Sequence, residues 1–552
     1  MPTVEVSHQD LCKLVGKNIP ISKLREEGIL FAKGEIDEAK GDLLKVDIKD
    51  TNRPDLWSTE GIARELKGRY ASGGLPRYMT RKSDVVVKVD QKLKRIRPYT
   101  VCAVVKNLKI DEHSLSQLIQ LQEKISITFG RNRKEIAIGV YDLNKIKPPI
   151  RFTTVKPDRI KFTPLEFKKA LTPRQILKEH PKGREFGHLL EGVPEYPIFI
   201  DSVGEVLSIP PIINSEHTGK VTKETRDIFI ECSGFDLKFL SPALNVIVSA
   251  LVDRGGNIET VRVVYPERTI ETPDLEPMKF EIDLDYLNRV SGLSLTMEKA
   301  CRLLKKARYD AKPSGKKINV LYPAYRQDIM HQRDVIEDAI ISYGYNNIEP
   351  VIPRLVTTGN QNPVETFSNK TSELLTGLGL QEILSYILTN KKHLFDNMNL
   401  KEKRVVEIEN IVSANWSVFR SWLLPSLLEF LSRNKHVEYP QKIFEIGDVV
   451  NLDSSGETGT KDTRKIAVAL TDNQIGYEEI SSILDSLLRG IGINYKLRKI
   501  LHPSFIKGRA AGILVNGREI GVIGEINPLV LERLELDKPV VAFEIELEKL
   551  MV

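Results

Sequence analysis

Cysteine is scarce in this chain: 552 residues carry four, Cys12, Cys102, Cys232 and Cys301. Their scatter excludes a disulfide framework and a Cys-x-x-Cys metal site, and fits a reducing cytoplasm. Long apolar runs are missing too. The longest, Val246-Ile-Val-Ser-Ala-Leu-Val252, falls far short of the roughly 20 residues that span a bilayer, so no membrane span is expected. The start, Met1-Pro-Thr-Val-Glu-Val-Ser-His, lacks the basic and apolar stretches of a secretory signal, so export is not expected. Several catalytic signatures are likewise absent. No segment places Lys-Ser/Thr after a phosphate-cradling glycine loop, no helix reads His-Glu-x-x-His, and no turn reads Gly-x-Ser-x-Gly, which argues against P-loop hydrolysis, zinc proteolysis and a serine nucleophile elbow. The nine histidines are scattered singly, and no internal repeat is visible.

What remains is the composition of a multidomain globular protein. Hydrophobic residues make up 41% and charged residues 28%, and a prior of about 150 residues per domain divides the chain into roughly three to five. Glycine and proline clusters place the boundaries at 1–80, 85–270, 275–350 and 355–552. The first section reads as a short α/β unit, with Ser58-Thr-Glu-Gly61 capping a helix striped by Ile62, Leu66 and Tyr70. The second alternates β-rich runs such as Val85–Val89, Val101–Val105, Ile136–Val140 and Ile228–Cys232 with helices near 115–129, 164–170 and 240–252. The third is expected to be small and helical, and the last to be built on a sheet.

Net charge is +6, which permits an acidic polymer as partner without identifying one. The basic runs Lys92–Arg97, Arg131–Lys134 and Lys305–Arg308 are candidate phosphate contacts, with a solvated face as the plainer reading.

The densest chemistry lies in Tyr325-Arg-Gln-Asp-Ile-Met-His-Gln-Arg-Asp-Val-Ile-Glu-Asp-Ala-Ile-Ile-Ser-Tyr343. Asp334, Glu337 and Asp338 fall at i, i+3 and i+4 on one helical face, with Asp328 just upstream. Four neighbouring carboxylates repel one another, and a hard divalent cation such as Mg²⁺ would relieve that repulsion. Acidic residues opening a helix also complement its dipole, so an ordinary solvated helix start is the alternative.

Three ordered blocks carry a family resemblance: Asp47-Ile-Lys-Asp-Thr-Asn-Arg-Pro-Asp-Leu-Trp-Ser-Thr-Glu-Gly-Ile-Ala-Arg64, the carboxylate segment, and Gly524-Glu-Ile-Asn-Pro528. Over essentially its whole length the sequence resembles the β subunits of archaeal/eukaryotic-type phenylalanyl-tRNA synthetases. The resemblance implies a multidomain α/β and α+β chain. Residues 85–270 would be a mixed α/β editing-type domain that binds tRNA and hydrolyses tRNA mischarged with tyrosine. Residues 275–350 would be a small helical domain whose Asp328, Asp334, Glu337 and Asp338 hold Mg²⁺ shared with an α subunit. Residues 355–552 would be a class II synthetase-like antiparallel sheet domain without catalytic motifs.

It also implies a complex of two α and two β chains acting on tRNA(Phe), phenylalanine and ATP in the cytoplasm, with the synthetic site in the α subunit. By position in the Pro-Pro-Ile-Ile-Asn and Phe-Ile-Glu-Cys-Ser-Gly blocks, Ser208, Glu231 and Ser233 are the editing-site candidates, Glu231 accepting a phenolic hydroxyl or orienting water. Aspartate and threonine are expected where Glu231 and Ser233 stand. A reshaped pocket in an assembly and tRNA-binding subunit with decayed editing is therefore a second reading, and a stand-alone RNA-binding protein a third. Cys232, between the two candidates, should face the opposite side of its strand.

Overall fold

The computed structural model describes Pro2–Met551 and divides into two compact units, Met1–Ile352 and Pro353–Val552. Each is treated by itself.

The first unit opens on a three-stranded antiparallel sheet of Thr3–Ser7, Leu43–Ile48 and Gly34–Lys40, followed by the helix Thr59–Tyr70. Ser58 caps that helix by accepting from the Gly61 amide, as its sequence leads one to expect, and Ile62, Ala63 and Leu66 are buried. Gly61 is obligatory in this setting. A Cβ there would lie 1.6 Å from the Asp55 carbonyl oxygen.

A ten-stranded mixed sheet forms the body of the unit. Its centre sets Tyr99–Lys106 and Ile136–Asp142 antiparallel on either side of Ile228–Gly234, with Glu231 opposite Cys102 and Gly139. Strand alternation sorts the side chains. Val101, Ala103, Ile228, Ile230 and Cys232 meet Leu240, Leu244 and Ile247 of the helix Leu237–Asp253 in one core. Cys102, Val104, Tyr141 and Phe229 enter a second core on the other face. Cys232 thus points away from the Glu231 face, as the alternation requires.

The two ends of the sheet approach each other. The Asp142 amide donates to the Thr218 carbonyl at 2.9 Å, and the Tyr141 hydroxyl reaches Ser208 on the far strand Val206–Ile209. No helix forms at 164–170: Phe162 and Pro164 make isolated bridges to Leu171 and Ser215, and the helices follow at Pro173–Glu179 and Pro181–Phe186. Thr172 caps the first of these, with Pro173 at a position where proline's missing N–H costs nothing.

Residues 278–343 are not a helical unit, as the sequence pattern suggested, but α+β. The antiparallel strands Met278–Asp283, Lys317–Tyr322 and Asp310–Ser314 form a sheet packed by the helices Leu284–Ser291, Met297–Lys306 and Gln332–Tyr343. The strand Lys317–Tyr322 alternates exposed Lys317 and Asn319 with buried Ile318 and Val320.

The second unit is built on a seven-stranded sheet, antiparallel except where Gln381–Glu382 runs parallel to Gln441–Leu452. The helices Pro363–Gly377 and Tyr477–Gly490 cover one face and Leu424–Arg433 the other. Ile443–Gly447 lies within the twelve-residue strand Gln441–Leu452.

Candidate functional site

Where the ends of the large sheet meet, a cavity of about 90 Å³ opens to solvent between Gln122 and Glu123 of the helix Glu112–Lys124, Ser208, the run Ile209–Asn214, and Glu231. The sequence brings Ser208 and Glu231 to one wall by placing each at an inward position of its own strand. Both are 2% exposed.

Between them lies Tyr141, fully buried, whose hydroxyl is 2.7 Å from Ser208 Oγ and 3.2 Å from Glu231 Oε1. Gly139 makes this possible: a Cβ at that position would sit 2.1 Å from the Tyr141 oxygen and 2.7 Å from Glu231 Oε1. Glu231 Oε2 has no hydrogen-bond partner. A buried carboxylate with an unsatisfied oxygen is costly, so burial pushes the Glu231 pKa up to about 7, against the opposing pull of the Arg97 charge, the hydrogen bond from Tyr141 and the neighbouring Ser233 hydroxyl. Near neutral pH the group can therefore accept a hydrogen bond as carboxylate or donate one as acid.

Ser233 does not share this wall. Its hydroxyl accepts from Arg97 Nε at 3.1 Å, and Arg97 also donates to the carbonyl of Lys134. Burial lowers the pKa of that guanidinium to about 10, with Glu231 and Glu135 opposing. Ser233 thus anchors Arg97, and its hydroxyl also helps hold the Glu231 pKa down.

Arg97 also corrects the reading of the basic runs. It is 3% exposed, Arg133 lies over the Phe186 ring and donates to the Ile212 carbonyl, and Arg308 is buried and donates to the Ser72 carbonyl. Each run turns one arginine toward the protein, while Arg95, Arg131 and the lysines stay exposed.

The four acidic residues of the 328–338 segment, expected as a magnesium set, are each engaged by groups of this chain as folded. Arg326 stands between two of them, donating through Nε and Nη2 to Asp328 at 2.8 and 2.6 Å and through Nη2 to Asp338 at 2.8 Å. Asp338 also accepts from the buried Tyr309 hydroxyl at 2.6 Å. Asp334 turns back to accept from the Met330 and His331 amides, which caps the helix Gln332–Tyr343. Glu337, half exposed, pairs with Lys33 Nζ at 2.9 Å. Among the described residues no three His, Cys, Asp or Glu side chains form a group that could hold a metal ion.

The mutual repulsion of these carboxylates is relieved in this chain by arginine and lysine. Burial alone would raise the Asp338 pKa, but Arg326, Arg53, Lys33 and the Tyr309 hydroxyl hold it well below the ordinary carboxylate range. Arg53, from the turn before Pro54–Leu56, ties in Asp55 at 2.8 Å and approaches Glu65 and Asp328. Asp328, Asp338, Arg53 and Arg326 thereby lock the N-terminal segment to the 278–343 segment.

A larger opening of about 1150 Å³ in the second unit is lined by Lys392, Lys401, Lys403, Trp422, His502 and Arg533. None of its lining side chains has a buried polar atom lacking a partner among the described residues, so the smaller cavity is the better candidate for chemistry.

Sequence reasoning missed Tyr141, Gly139 and Arg97. Ile136-Ala-Ile-Gly-Val-Tyr contains the signal for the first two, because a tyrosine two positions from a glycine shares its face of a strand. Nothing local marks Arg97 as buried.

Family models match in series along this chain: a B3/4 domain over residues 85–255, a tRNA synthetase B5 domain over 280–345, and the phenylalanyl-tRNA synthetase β chain CLM domain over 348–547. This series defines a chain of the aminoacyl-tRNA synthetase class. The chain is 50% identical to the phenylalanine–tRNA ligase β subunit of Pyrococcus abyssi, over the full length of both. It is 43% identical to that of Korarchaeum cryptofilum, over 90% of each. A solved N-terminal fragment of the phenylalanyl-tRNA synthetase β subunit from Pyrococcus horikoshii is 50% identical and matches 62% of this chain and all of the fragment, with a TM-score of 0.61. The chain belongs to the family of phenylalanine–tRNA ligase β subunits.

Proposed function

We propose that this chain is the non-synthetic subunit of a phenylalanine–tRNA ligase and that its B3/4 region hydrolyses tRNA mischarged with tyrosine. The observation that carries the hydrolytic part is the unpartnered, buried Glu231 Oε2 at the wall of a cavity beside Ser208. A phenol entering hydroxyl-first satisfies that oxygen, whereas phenylalanine leaves it unpaired, an asymmetry that sites built to bind a hydroxyl use to discriminate. The enclosed volume of about 90 Å³ is smaller than the roughly 150 Å³ that holds a benzene ring, so only the hydroxyl end of the side chain is enclosed. In the reaction water adds to the aminoacyl carbonyl carbon, the bond to the ribose oxygen breaks, and that oxygen takes up the proton.

Activation of phenylalanine by ATP, with its magnesium, belongs to an α subunit. The C-terminal sheet is read as a class II synthetase-like domain without a synthetic site of its own. Arg420 donates to Glu445 at 2.7 Å with both side chains buried, so it is not free to clamp phosphate. Exposed Leu384, Tyr386, Val412 and Trp416 supply the apolar surface against which an α subunit would pack in an assembly of two α and two β chains. With four free cysteines the expected location is the cytoplasm.

The test is phenylalanine- and ATP-dependent aminoacylation of tRNA(Phe) by this chain alone and after co-expression with an α subunit. Activity only in the mixture supports the assignment; activity of this chain alone overturns the silent C-terminal domain. A second reading, an assembly subunit with decayed editing, is favoured by Tyr141 occupying Ser208 and by Ser233 being held by Arg97. Hydrolysis of tyrosyl-tRNA that is lost in Ser208→Ala or Glu231→Ala removes it.

A further inference from the structure

Ser208 and Glu231 are not independent. They are joined through one phenol, that of Tyr141, which lies behind the cavity wall with no exposed surface. Its oxygen is close enough to engage Ser208 Oγ and Glu231 Oε1 together. A carboxylate has two oxygens, and a donor fixed on one fixes the direction of the other. Here the second is the atom without a partner, on a residue that lines the cavity. Gly139, opposite Glu231 in the sheet, has no side chain to compete for the space.

We propose that Tyr141 is the positioning residue of this site: its hydroxyl holds Glu231 by Oε1 so that Oε2 is presented to a hydroxyl-bearing side chain in the cavity. The inference rests on the hydrolytic reading for the identity of that side chain, and on geometry alone for the tether. Tyr141 touches no substrate in this scheme. It acts through Glu231, and Ser208 keeps the phenol from rotating away.

The surroundings of Glu231 make the tether measurable. From the neighbouring strand Cys102 faces it, with a thiol that burial pushes well up and keeps neutral. Arg97 supplies the positive charge, Tyr141 a donated hydrogen bond and Ser233 a nearby hydroxyl, and Glu123 and Arg133 line the cavity. A hydrogen bond donated to the ionised form favours ionisation, so its removal must move the carboxyl titration to higher pH.

Tyr141→Phe in the full chain, co-assembled with an α subunit, is the variant to make. The first readout needs no substrate: the protonated-carboxyl infrared band that disappears in Glu231→Gln is followed across pH. Its midpoint is expected to rise in Tyr141→Phe, and an unchanged midpoint overturns the tether. The second readout is hydrolysis of tyrosyl-tRNA, where KM is expected to rise about tenfold or more, as for a misaligned hydrogen-bond acceptor, with kcat less affected. A fall in kcat at constant KM overturns the positioning role. Wild-type protein that hydrolyses no tyrosyl-tRNA defeats the hydrolytic reading while the infrared midpoint still decides the tether. Should Tyr141→Phe fail to fold, Ser208→Ala removes the other hold on the phenol, and the same band is expected to broaden or shift; an unaltered band again overturns the proposal.

Discussion

Two buried carboxylates in the first unit have opposite fates. Asp338 is sealed among Arg326, Arg53, Lys33 and Tyr309 and held strongly ionised, whereas Glu231 faces one guanidinium, a phenol and a serine hydroxyl, keeps an oxygen unsatisfied, and has its pKa pushed up to about 7. Their burial is nearly equal, 3% and 2% exposed, so burial does not separate them. The neighbours do. A buried acid surrounded by cations is structural cement, expensive to disturb and chemically inert; one left short of partners at a cavity is a site. This contrast makes the single glutamate in an apolar strand the candidate for hydrolytic chemistry, although the 328–338 segment is richer in acidic residues.

The comparison breaks most easily at Arg326. Arg326→Met leaves Asp328 and Asp338 buried without their shared guanidinium, and the loss is expected to be about 3–5 kcal/mol, as for other broken buried ion pairs. The midpoint of urea unfolding of the first transition checks this, and a loss below about 1 kcal/mol would mean the cluster is solvated.

Glu231→Gln should go the other way. Because the folded-state pKa lies above the unfolded value of 4.5 at about 7, the folded state holds the proton more tightly, and the stability lost by burying this acid grows as pH rises from 4.5 to 7 and then levels off. The variant is expected to be more stable than the parent by up to about 3 kcal/mol at pH 8, from roughly 1.4 kcal/mol per pKa unit, and no more stable at pH 4. Melting curves at the two pH values decide it.

Asp338→Asn sharpens the same comparison with the sign reversed. Its folded-state pKa is depressed below the ordinary value of 3.8, so its contribution is present above that value and is lost as pH falls through the folded pKa. The variant is expected to cost about 1–3 kcal/mol at neutral pH, a cost that shrinks in strong acid, as unfolding at pH 7 and pH 2 would reveal.

The smallest effect is expected from chelation. Since the acidic segment is neutralised by its own cations, EDTA should leave the melting temperature of the isolated chain unchanged, and a fall of several degrees would restore a metal to the account.

Much of the fold was legible because local signals agreed with the global arrangement. Ser58 ahead of an apolar stripe gives the helix Thr59–Tyr70, and strict alternation in Ile228–Gly234 sends Cys232 to the core and Glu231 to the opposite face. What was not legible depends on partners distant in sequence. Arg53, Lys33 and Tyr309 reach Asp328, Glu337 and Asp338 only in the folded chain, so spacing along one helix could show that the carboxylates are close but not what balances them. Arg97 resembles its exposed lysine neighbours in sequence and differs only in where the chain takes it. The expected helix at 164–170 fails because Phe162 and Pro164 bridge to Leu171 and Ser215 instead, a tertiary pairing that overrides local preference.

The contrast between the two acids is tested most directly by one rate, that of tyrosyl-tRNA hydrolysis, measured for α-complexed chains carrying Glu231→Gln or Asp338→Asn under conditions where both are folded. The expected result is a loss of about a hundredfold or more in Glu231→Gln, the scale on which acid–base and orienting groups act, with Asp338→Asn hydrolysing at the parental rate. A parental rate in Glu231→Gln, or a comparable loss in folded Asp338→Asn, would contradict the account.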